Sequence, residues 1–377
     1  MNILIVTPGM HEPWVDGRIT SLKAMAEGLN EVGFKVEILT TYTEGQNSKT
    51  LDIHGIKYSL LPGGNIRNWK ALLTHFANIC RCGQFDIVIY RPYAGFNWVN
   101  NASIISLRFV ALLRRIPFIL SIWSGPVQYL KHPWFFSAIF ATGRTLQHHK
   151  ICSIPPIINA VELPIRNPRD VLSTFYGIKD HNSVLLFTYC AKIDTDSVWD
   201  YTLIQRGLLD VINAAKHLNE KSKFTFLISM PIFAKQASVD KFCALLDHHK
   251  VRKHFTLVSE ITDLPLVLSA VDAYLYPINM NEPSWAPVSA LEALSQGTPV
   301  ITTRIEVIRE FLKEDDALFY EPEHPEELAS TVQFLLDNKK EVKERAAQAK
   351  KRVNERFGRK AVVKVVQDHL SVLKKKI

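Results

Sequence analysis

The sequence predicts an α/β fold made of two doubly wound, Rossmann-like domains that face a cleft. Three observations lead to this prediction. Short β-branched runs alternate with helical patterns along the chain, a proline-rich stretch at 155–168 interrupts the alternation, and 377 residues are enough for two domains of ordinary size. Ligands of such sheets bind beyond the carboxyl ends of the strands, so a site is expected in the loops at those ends.

The first half begins with a βαβ unit. Residues 3–6 (ILIV) are typical of a buried strand, the apolar spacing over 19–31 predicts a helix that ends at Gly33, and 35–40 predicts the next strand. The prolines around residue 160 predict a domain boundary between residues 166 and 167. The other elements predicted in this half are a helix over 65–79, a strand over 85–90, a helix over 98–114, a strand over 117–123 and a helix over 134–149.

The second half repeats the alternation, which predicts a second parallel sheet. Its predicted strands are 183–189, 223–229, 254–259, 273–277 and 300–303. Its predicted helices are 206–218, 237–249, 262–272, 325–338, 340–357 and 360–374.

One further stretch of this half, NEPSWAPVSALEALSQGTPVITT (281–303), predicts a loop, a helix, a turn and a strand. Pro287 suits the first helical position because its missing N–H would be unpaired there. The free N–H groups of Val288 and Ser289 favour a bound phosphate, and Glu292, one turn further on, is placed to accept hydrogen bonds from ribose hydroxyls. A capped core helix with one exposed glutamate is the alternative that this pattern leaves open.

The net charge of +8 is concentrated in the first half. Residues 53–150 contain eleven Lys or Arg and a single acid, Asp86, so this segment carries +10 and the rest of the chain −2. With its interleaved aromatic residues, the segment predicts that the first domain docks on an anionic membrane surface; nucleic acid is the rival partner and a solvated basic face the plain alternative. The residues expected at this surface are Arg67, Trp69, Lys70, Arg114 and Arg115.

The five cysteines are scattered and include no CxxC pair, which argues for a reducing compartment and against a structural zinc site. The amino terminus has no basic region before its short apolar run, and no apolar run is long enough to span a bilayer. We therefore expect a cytoplasmic protein, with peripheral association at the inner face of the membrane.

Four motifs carry a resemblance to a known family. They are SAVDAYLYP at 269–277, LEALSQGTPVITT at 291–303, VNERFG at 353–358 and a P-G…D-G loop that ends at Gly17. Over essentially its whole length the chain resembles a retaining glycosyltransferase of the GT-B fold, family-four (group 1) class. The resemblance implies an acceptor-side domain at 1–166, a nucleotide-sugar-binding domain at 167–357 and a C-terminal helix, 358–377, that crosses back to the first domain.

The resemblance implies transfer of a sugar from a nucleoside diphosphate sugar to an acceptor hydroxyl with retention, as in polysaccharide biosynthesis, on a glycan or lipid-linked acceptor. It implies no metal ion and no cofactor besides this co-substrate, so Asp194-Thr195-Asp196 is interpreted as a chance match to a metal-binding motif. Lys192 and Arg206 are expected to clamp the diphosphate and to act in catalysis. The residues expected to bind the donor are Gly17, Ser259, Ser284, Val288, Ser289 and Glu292.

Two positions depart from the family pattern. The family has a glutamate eight residues before the one matched by Glu292, but Ser284 stands there and the nearest acid is Glu282. We therefore predict that Glu282 contacts the donor sugar in catalysis. The family's common histidine corresponds to Trp123. These departures keep two alternatives open: a catalytically silent relative that binds a nucleotide or scaffolds a partner, and a sugar-nucleotide epimerase.

Overall fold

The chain forms two units, each with its own sheet and its own buried core. The first unit contains Met1–Asn159, Pro283–Ala286 and Arg356–Ile377, and the second contains Ala160–Glu282 and Pro287–Glu355. The predicted boundary between residues 166 and 167 falls in a stretch, 159–167, that lies outside the described residues, and it stays a prediction. The computed structural model describes residues 1–7, 17–41, 50–61, 85–92, 98–122, 133–142, 150–158, 168–178, 184–189, 201–218, 223–229, 236–258, 261, 263–280 and 286–375.

The first unit is built on a sheet whose described strands are β1 (Asn2–Val6), β2 (Lys35–Thr41), β3 (Thr50–Ile53), β4 (Ile56–Leu61), β5 (Ile87–Tyr90), β6 (Phe118–Ile122), β7 (Ala138–Ala141) and β8 (Ile151–Ser153). Their order is β3-β4-β2-β1-β5-β6-β7-β8, and the neighbours are parallel except in the β3–β4 hairpin. Residues 3–6 of β1 are completely buried, because they alternate between the apolar clusters on the two faces of the sheet. The strand order changes direction at β1, between β2 and β5.

The second unit is built on a parallel sheet whose described strands are β9 (Val184–Tyr189), β10 (Phe224–Ser229), β11 (Phe255–Val258), β12 (Ala273–Tyr276), β13 (Val300–Thr303) and β14 (Leu318–Tyr320). Their order is β11-β10-β9-β12-β13-β14. The chain therefore starts at the centre, builds outward to one side, and then returns to build the other side. The prediction of two doubly wound, Rossmann-like sheets is confirmed.

Helices connect these strands. Those of the described residues are α1 (Gly17–Glu31), α2 (Trp98–Leu113), α3 (Pro168–Tyr176), α4 (Leu208–His217), α5 (Gln236–His248), α6 (Leu264–Ala270), α7 (Val288–Gln296), α8 (Glu306–Arg309), α9 (Pro325–Asp337), α10 (Lys339–Phe357) and α11 (Arg359–Lys375). Within the described ranges, none of them is both long and apolar enough to cross a bilayer.

The last helix, α11, packs on α1 in the first unit. Arg359 donates to the carboxylates of Glu27 at 3.1 Å and Glu31 at 3.0 Å. Gly28 lacks a side chain at the point where Val363 approaches α1. The α11 residues that are buried in the first unit's core are Val362, Val363, Val366 and Leu370.

The predicted helix over 134–149 is wrong where the structure describes it. Pro133–Phe135 form a single 3₁₀ turn and Ala138–Ala141 form β7, which continues the sheet beside β6. The physical reason is that a four-residue run buried on all sides has no period that separates a strand from a buried helix. Phe136 packs on Phe118 of β6 with ring centroids 5.8 Å apart, so the turn delivers the chain to the sheet. The helix predicted over 65–79 lies outside the described residues.

Candidate active site

The carboxyl ends of β9 and β12 are the point at which the strand order of the second sheet changes direction. β9 pairs in parallel with β10 on one side and with β12 on the other. In open α/β sheets the crevice at such a point is the usual place for a ligand. After β12 the structure describes Pro277 to Met280, and these residues bring a second segment, 201–210, to the same edge.

Segment 201–210 is held directly against the chain that follows β12. Gly207 has a left-handed backbone (φ 68°), and a β-carbon there would lie only 1.6 Å from the carbonyl oxygen of Pro277. The N–H of Asn279 donates to the carbonyl of Gln205 at 2.8 Å, and its side chain donates to the carboxylate of Asp210 at 3.2 Å. These contacts hold Gln205 and Gly207, so Arg206, which lies between them in the sequence, is positioned at the carboxyl end of β12.

Asp210 is a buried residue that stabilises the contact between these two segments. The residue is 7% exposed, and its carboxylate also accepts the backbone N–H of Glu323 at 3.2 Å. Burial raises the pKa of Asp210, while the hydrogen bonds from Asn279 and Glu323 act in the opposite direction. A buried carboxyl group with such donors joins α4, the β12 loop and the segment before α9 into one framework.

Helix α7 begins beside the same strand. Pro287 precedes its first helical residue, with φ −78°, so it caps the helix rather than occupying the predicted first position. The N–H groups of Val288 and Ser289 are in the first turn, where helix geometry leaves them without an intrahelical partner. Gly297 ends the helix in the left-handed conformation (φ 84°), which is common for a glycine at this position, and its N–H donates to the carbonyls of Ala293 and Leu294.

Tyr274 of β12 links the predicted donor-binding residues. Its side chain is 1% exposed, and its hydroxyl donates to Oγ of Ser289 at 3.0 Å, which fixes the first turn of α7 against the sheet. Burial raises the pKa of Tyr274; the hydrogen bond to Ser289 opposes this, and the charges of Arg206 and Glu292 have smaller, opposite effects. Arg206, Ser289 and Glu292 therefore share the surroundings of one buried hydroxyl.

Glu292 is one helical turn beyond the start of α7 and is partly buried. Burial raises its pKa from 4.5 to about 7. Burial has removed water from this carboxyl group, so hydrogen bonds from hydroxyl donors would stabilise its ionised form. The positive end of the helix dipole and the Arg206 guanidinium favour an anion at the same edge.

The predicted site residues divide into three groups. The structure brings Arg206, Val288, Ser289 and Glu292 to the carboxyl edge of β12. Gly17 is the first residue of α1, the helix that follows the central strand of the first sheet. The predicted residues that lie outside the described ranges are Lys192, Ser259, Glu282 and Ser284.

The sequence analysis assigned no role to Tyr274. The signal available was its place in the strand AYLY, where a tyrosine interrupts small and aliphatic residues. Among the described residues, no group of three His, Cys, Asp or Glu side chains has the arrangement of a metal site, and Asp194 and Asp196 are not among them.

Comparison with known proteins identifies the class. Residues 203–352, which belong to the second unit except for Pro283–Ala286, match the family model described as glycosyl transferases group 1. The match includes Arg206, Ser289 and Glu292. The search of curated proteins found no match. This region is thus similar to group 1 glycosyl transferases, and the chain is a glycosyltransferase.

Solved structures share the architecture of both units. HepE from Anabaena, in complex with UDP and glucose, has a TM-score of 0.75 and 12% identity, covering 99% of this chain and 100% of that one. Sucrose-phosphate synthase from Thermosynechococcus elongatus has a TM-score of 0.74 and 14% identity, with the same coverage. A glycosyltransferase from Rickettsia africae has a TM-score of 0.73 and 17% identity, covering 99% and 98%. At these identities the likeness shows the fold alone, which is GT-B.

Proposed function

We propose that the chain transfers a sugar from a UDP-sugar to an acceptor hydroxyl with retention of the anomeric configuration, and that the second unit binds the donor. One observation carries the proposal: Tyr274, at the switch point of the second sheet, is hydrogen-bonded to Ser289 in the first turn of α7, and the charges of Glu292 and Arg206 act on the same hydroxyl. This combination offers a helix start and a cation for a diphosphate, and a carboxylate for a ribose.

The chemical problem in this transfer is charge on the leaving group. As the bond between the anomeric carbon and the diphosphate oxygen breaks, negative charge accumulates on the diphosphate. Donors fixed in advance in a water-poor site stabilise such charge by several kcal/mol. In the proposal Arg206, Lys192 and the N–H groups of Val288 and Ser289 supply this stabilisation, and the reaction proceeds without a metal ion.

The choice of uridine rests on the similar folds. HepE was solved with UDP-glucose, and a trehalose-6-phosphate protein of E. coli was solved with UDP-2-fluoro glucose. The acceptor in our proposal is a growing glycan or a lipid-linked one, taken up by the first unit. Anomeric configuration is read by NMR of the product formed from UDP-glucose. An inverted product, free glucose alone, or an epimerised donor would each contradict the proposal.

Donor binding is tested by substituting Glu292. Loss of charged hydrogen bonds to the ribose costs about 1.5–3 kcal/mol, so Glu292→Ala is expected to weaken UDP binding about 10- to 100-fold in isothermal titration calorimetry. Gln296→Ala, at the other end of α7, is the matched control and should bind UDP as the unaltered protein does. Equal affinity of Glu292→Ala and the control would contradict the assignment.

The sugar contact is tested at the two positions that depart from the family pattern. We propose that Glu282 contacts the donor sugar rather than the nucleotide. Glu282→Gln keeps the shape and removes the charge, so it should lower turnover by about tenfold or more while UDP binds unchanged. Ser284→Ala is compared in the same assay. If Ser284→Ala lowers turnover while Glu282→Gln remains fully active, a residue other than Glu282 holds the sugar.

A further inference from the structure

Helix α2 has apolar residues on both of its faces. Ile104, Leu107 and Ala111 are buried in the core over β5 and β6. The opposite face contains Ile105, Phe109 and Leu112, which the spacing of four and three residues aligns in one stripe, and Leu113 beside them. Their exposed fractions are 60%, 62%, 55% and 68% for Ile105, Phe109, Leu112 and Leu113. We call this stripe the outer face of α2.

Positive charge borders the outer face. Arg108 lies within the helix beside it, and Arg114 and Arg115 follow its last turn. Arg115 ends the helix in the left-handed conformation (φ 55°), in the position where glycine is usual, with Ile116 N–H bonded to the carbonyl of Ala111 at 2.9 Å. No Asp or Glu occurs anywhere in residues 87–161, so no acid of this segment offsets these charges.

An exposed tryptophan lies at the same edge of the sheet. Trp134 is 68% exposed and precedes Phe136, whose ring stacks on Phe118. Phe118 begins β6 shortly after the end of α2, so Trp134 and the arginines at that end belong to the amino-terminal edge of β6 and β7. Aromatic residues of this kind favour the boundary between water and lipid.

We propose that the outer face of α2 docks on an anionic lipid bilayer. Ile105, Phe109, Leu112 and Leu113 enter the boundary between headgroups and acyl chains, and the arginines bind lipid phosphates. Charge complementarity selects the occupant: an aliphatic stripe bordered by arginines, in a segment without acids, matches an anionic membrane. A nucleic acid would leave the aliphatic stripe in water, because its contacts are made by polar and charged groups. The docking is independent of the donor chemistry proposed above.

The experiment is flotation of the full chain with vesicles. One set contains phosphatidylcholine and phosphatidylglycerol in equal amounts, and the other contains phosphatidylcholine alone. We expect binding to the anionic vesicles, fading as salt rises, and little binding to the neutral ones. Arg114→Gln combined with Arg115→Asn should lower the partition about 30-fold, since each arginine near such a surface contributes about 1 kcal/mol. Asparagine is chosen because it tolerates the left-handed backbone at Arg115.

The apolar part is tested by Phe109→Ser, which should lower the partition about tenfold. The controls are Lys339→Gln with Lys340→Gln for charge and Val372→Ser for an exposed apolar residue, 52% exposed on α11. All variants are exposed-surface changes, and unchanged circular dichroism and UDP binding confirm that each is folded. Equal binding to both vesicle types, or variants no weaker than the controls, would overturn the proposal. The proposal would also be overturned if Phe109→Ser had no effect except to dissociate a dimer. It would equally be overturned if the arginine variants lost only binding to DNA or RNA.

Discussion

Glu292 is a partly buried carboxyl group whose charge opposes folding. Its pKa is raised from 4.5 to about 7 because burial penalises the ionised form. The native state therefore retains a proton that the unfolded state releases, so stability falls as the pH rises from about 4.5 to 7, and the full loss is present above pH 7. At 1.36 kcal/mol per pKa unit, this loss is about 3 kcal/mol.

Glu292→Gln should therefore stabilise the unliganded protein. We expect the free energy of unfolding to rise by up to about 3 kcal/mol at pH 8, and by less as the pH falls toward 4.5. Urea unfolding at several pH values measures this gain, with Glu326→Gln as the exposed control on α9. The same substitution should weaken UDP binding, so stability and affinity move in opposite directions. A gain of the same size at every pH would show that burial of the Glu292 charge is not its cause.

The site residues differ in how far the sequence could reveal them. The positions of Glu292 and Ser289 in the first turns of α7 were predictable, because distance from a helix start depends only on helix geometry. Their role in binding the donor stays a prediction. Arg206 was found through the resemblance to a known family. The hydrogen bond between Tyr274 and Ser289 and the close approach of Gly207 to the Pro277 carbonyl were not predictable, because the fold brings these partners together over long stretches of chain.

Some strands and helices could be predicted from the sequence and others could not. Strands with several consecutive β-branched residues, such as β1 and β13, were predicted within about a residue of their ends. β7 was missed because Ala138–Ala141 is short and its assignment depends on pairing with β6. Hairpin β3–β4 and strand β14 were also not predicted, since both complete the edges of sheets that the central strands define.

The close packing of α1 against α11 leads to a prediction about Gly28. Replacing a helical glycine with alanine ordinarily stabilises a helix by about 1 kcal/mol. At Gly28, however, a β-carbon would lie 2.4 Å from Cγ2 of Val363 and 3.0 Å from Cγ of Arg359. Overpacking of this kind costs about 1–3 kcal/mol, so Gly28→Ala should lower the free energy of unfolding.

A double-mutant cycle isolates the cause of that loss. In a Val363→Ala background the alanine at position 28 has room, so Gly28→Ala should be neutral or stabilising there. Urea unfolding of the four proteins gives the coupling energy. If Gly28→Ala stabilises the unaltered chain, or if its effect is the same in both backgrounds, the packing between α1 and α11 does not limit this position.

At the scale of the whole molecule, the chain starts and finishes in the first unit, and the stretch between belongs to the second unit except for Pro283–Ala286. Val366 of α11 is completely buried in the first unit's core, whereas Val372 on the same helix is 52% exposed. The match to group 1 glycosyl transferases ends at residue 352, before α11 begins. Damage to α11 should therefore reach the first unit and spare nucleotide binding.

Val366→Asp tests this separation, with Val372→Asp as the matched control. A carboxylate in place of a buried valine costs several kcal/mol, so Val366→Asp should lower the melting temperature, while the control changes stability by less than about 0.5 kcal/mol. Thermal unfolding followed by circular dichroism measures both. UDP titration at a temperature below the first transition should give the same affinity for the two variants, because Arg206, Ser289 and Glu292 all belong to the second unit. A Val366→Asp protein that loses UDP binding as fully as Glu292→Ala would show that the donor site depends on the first unit.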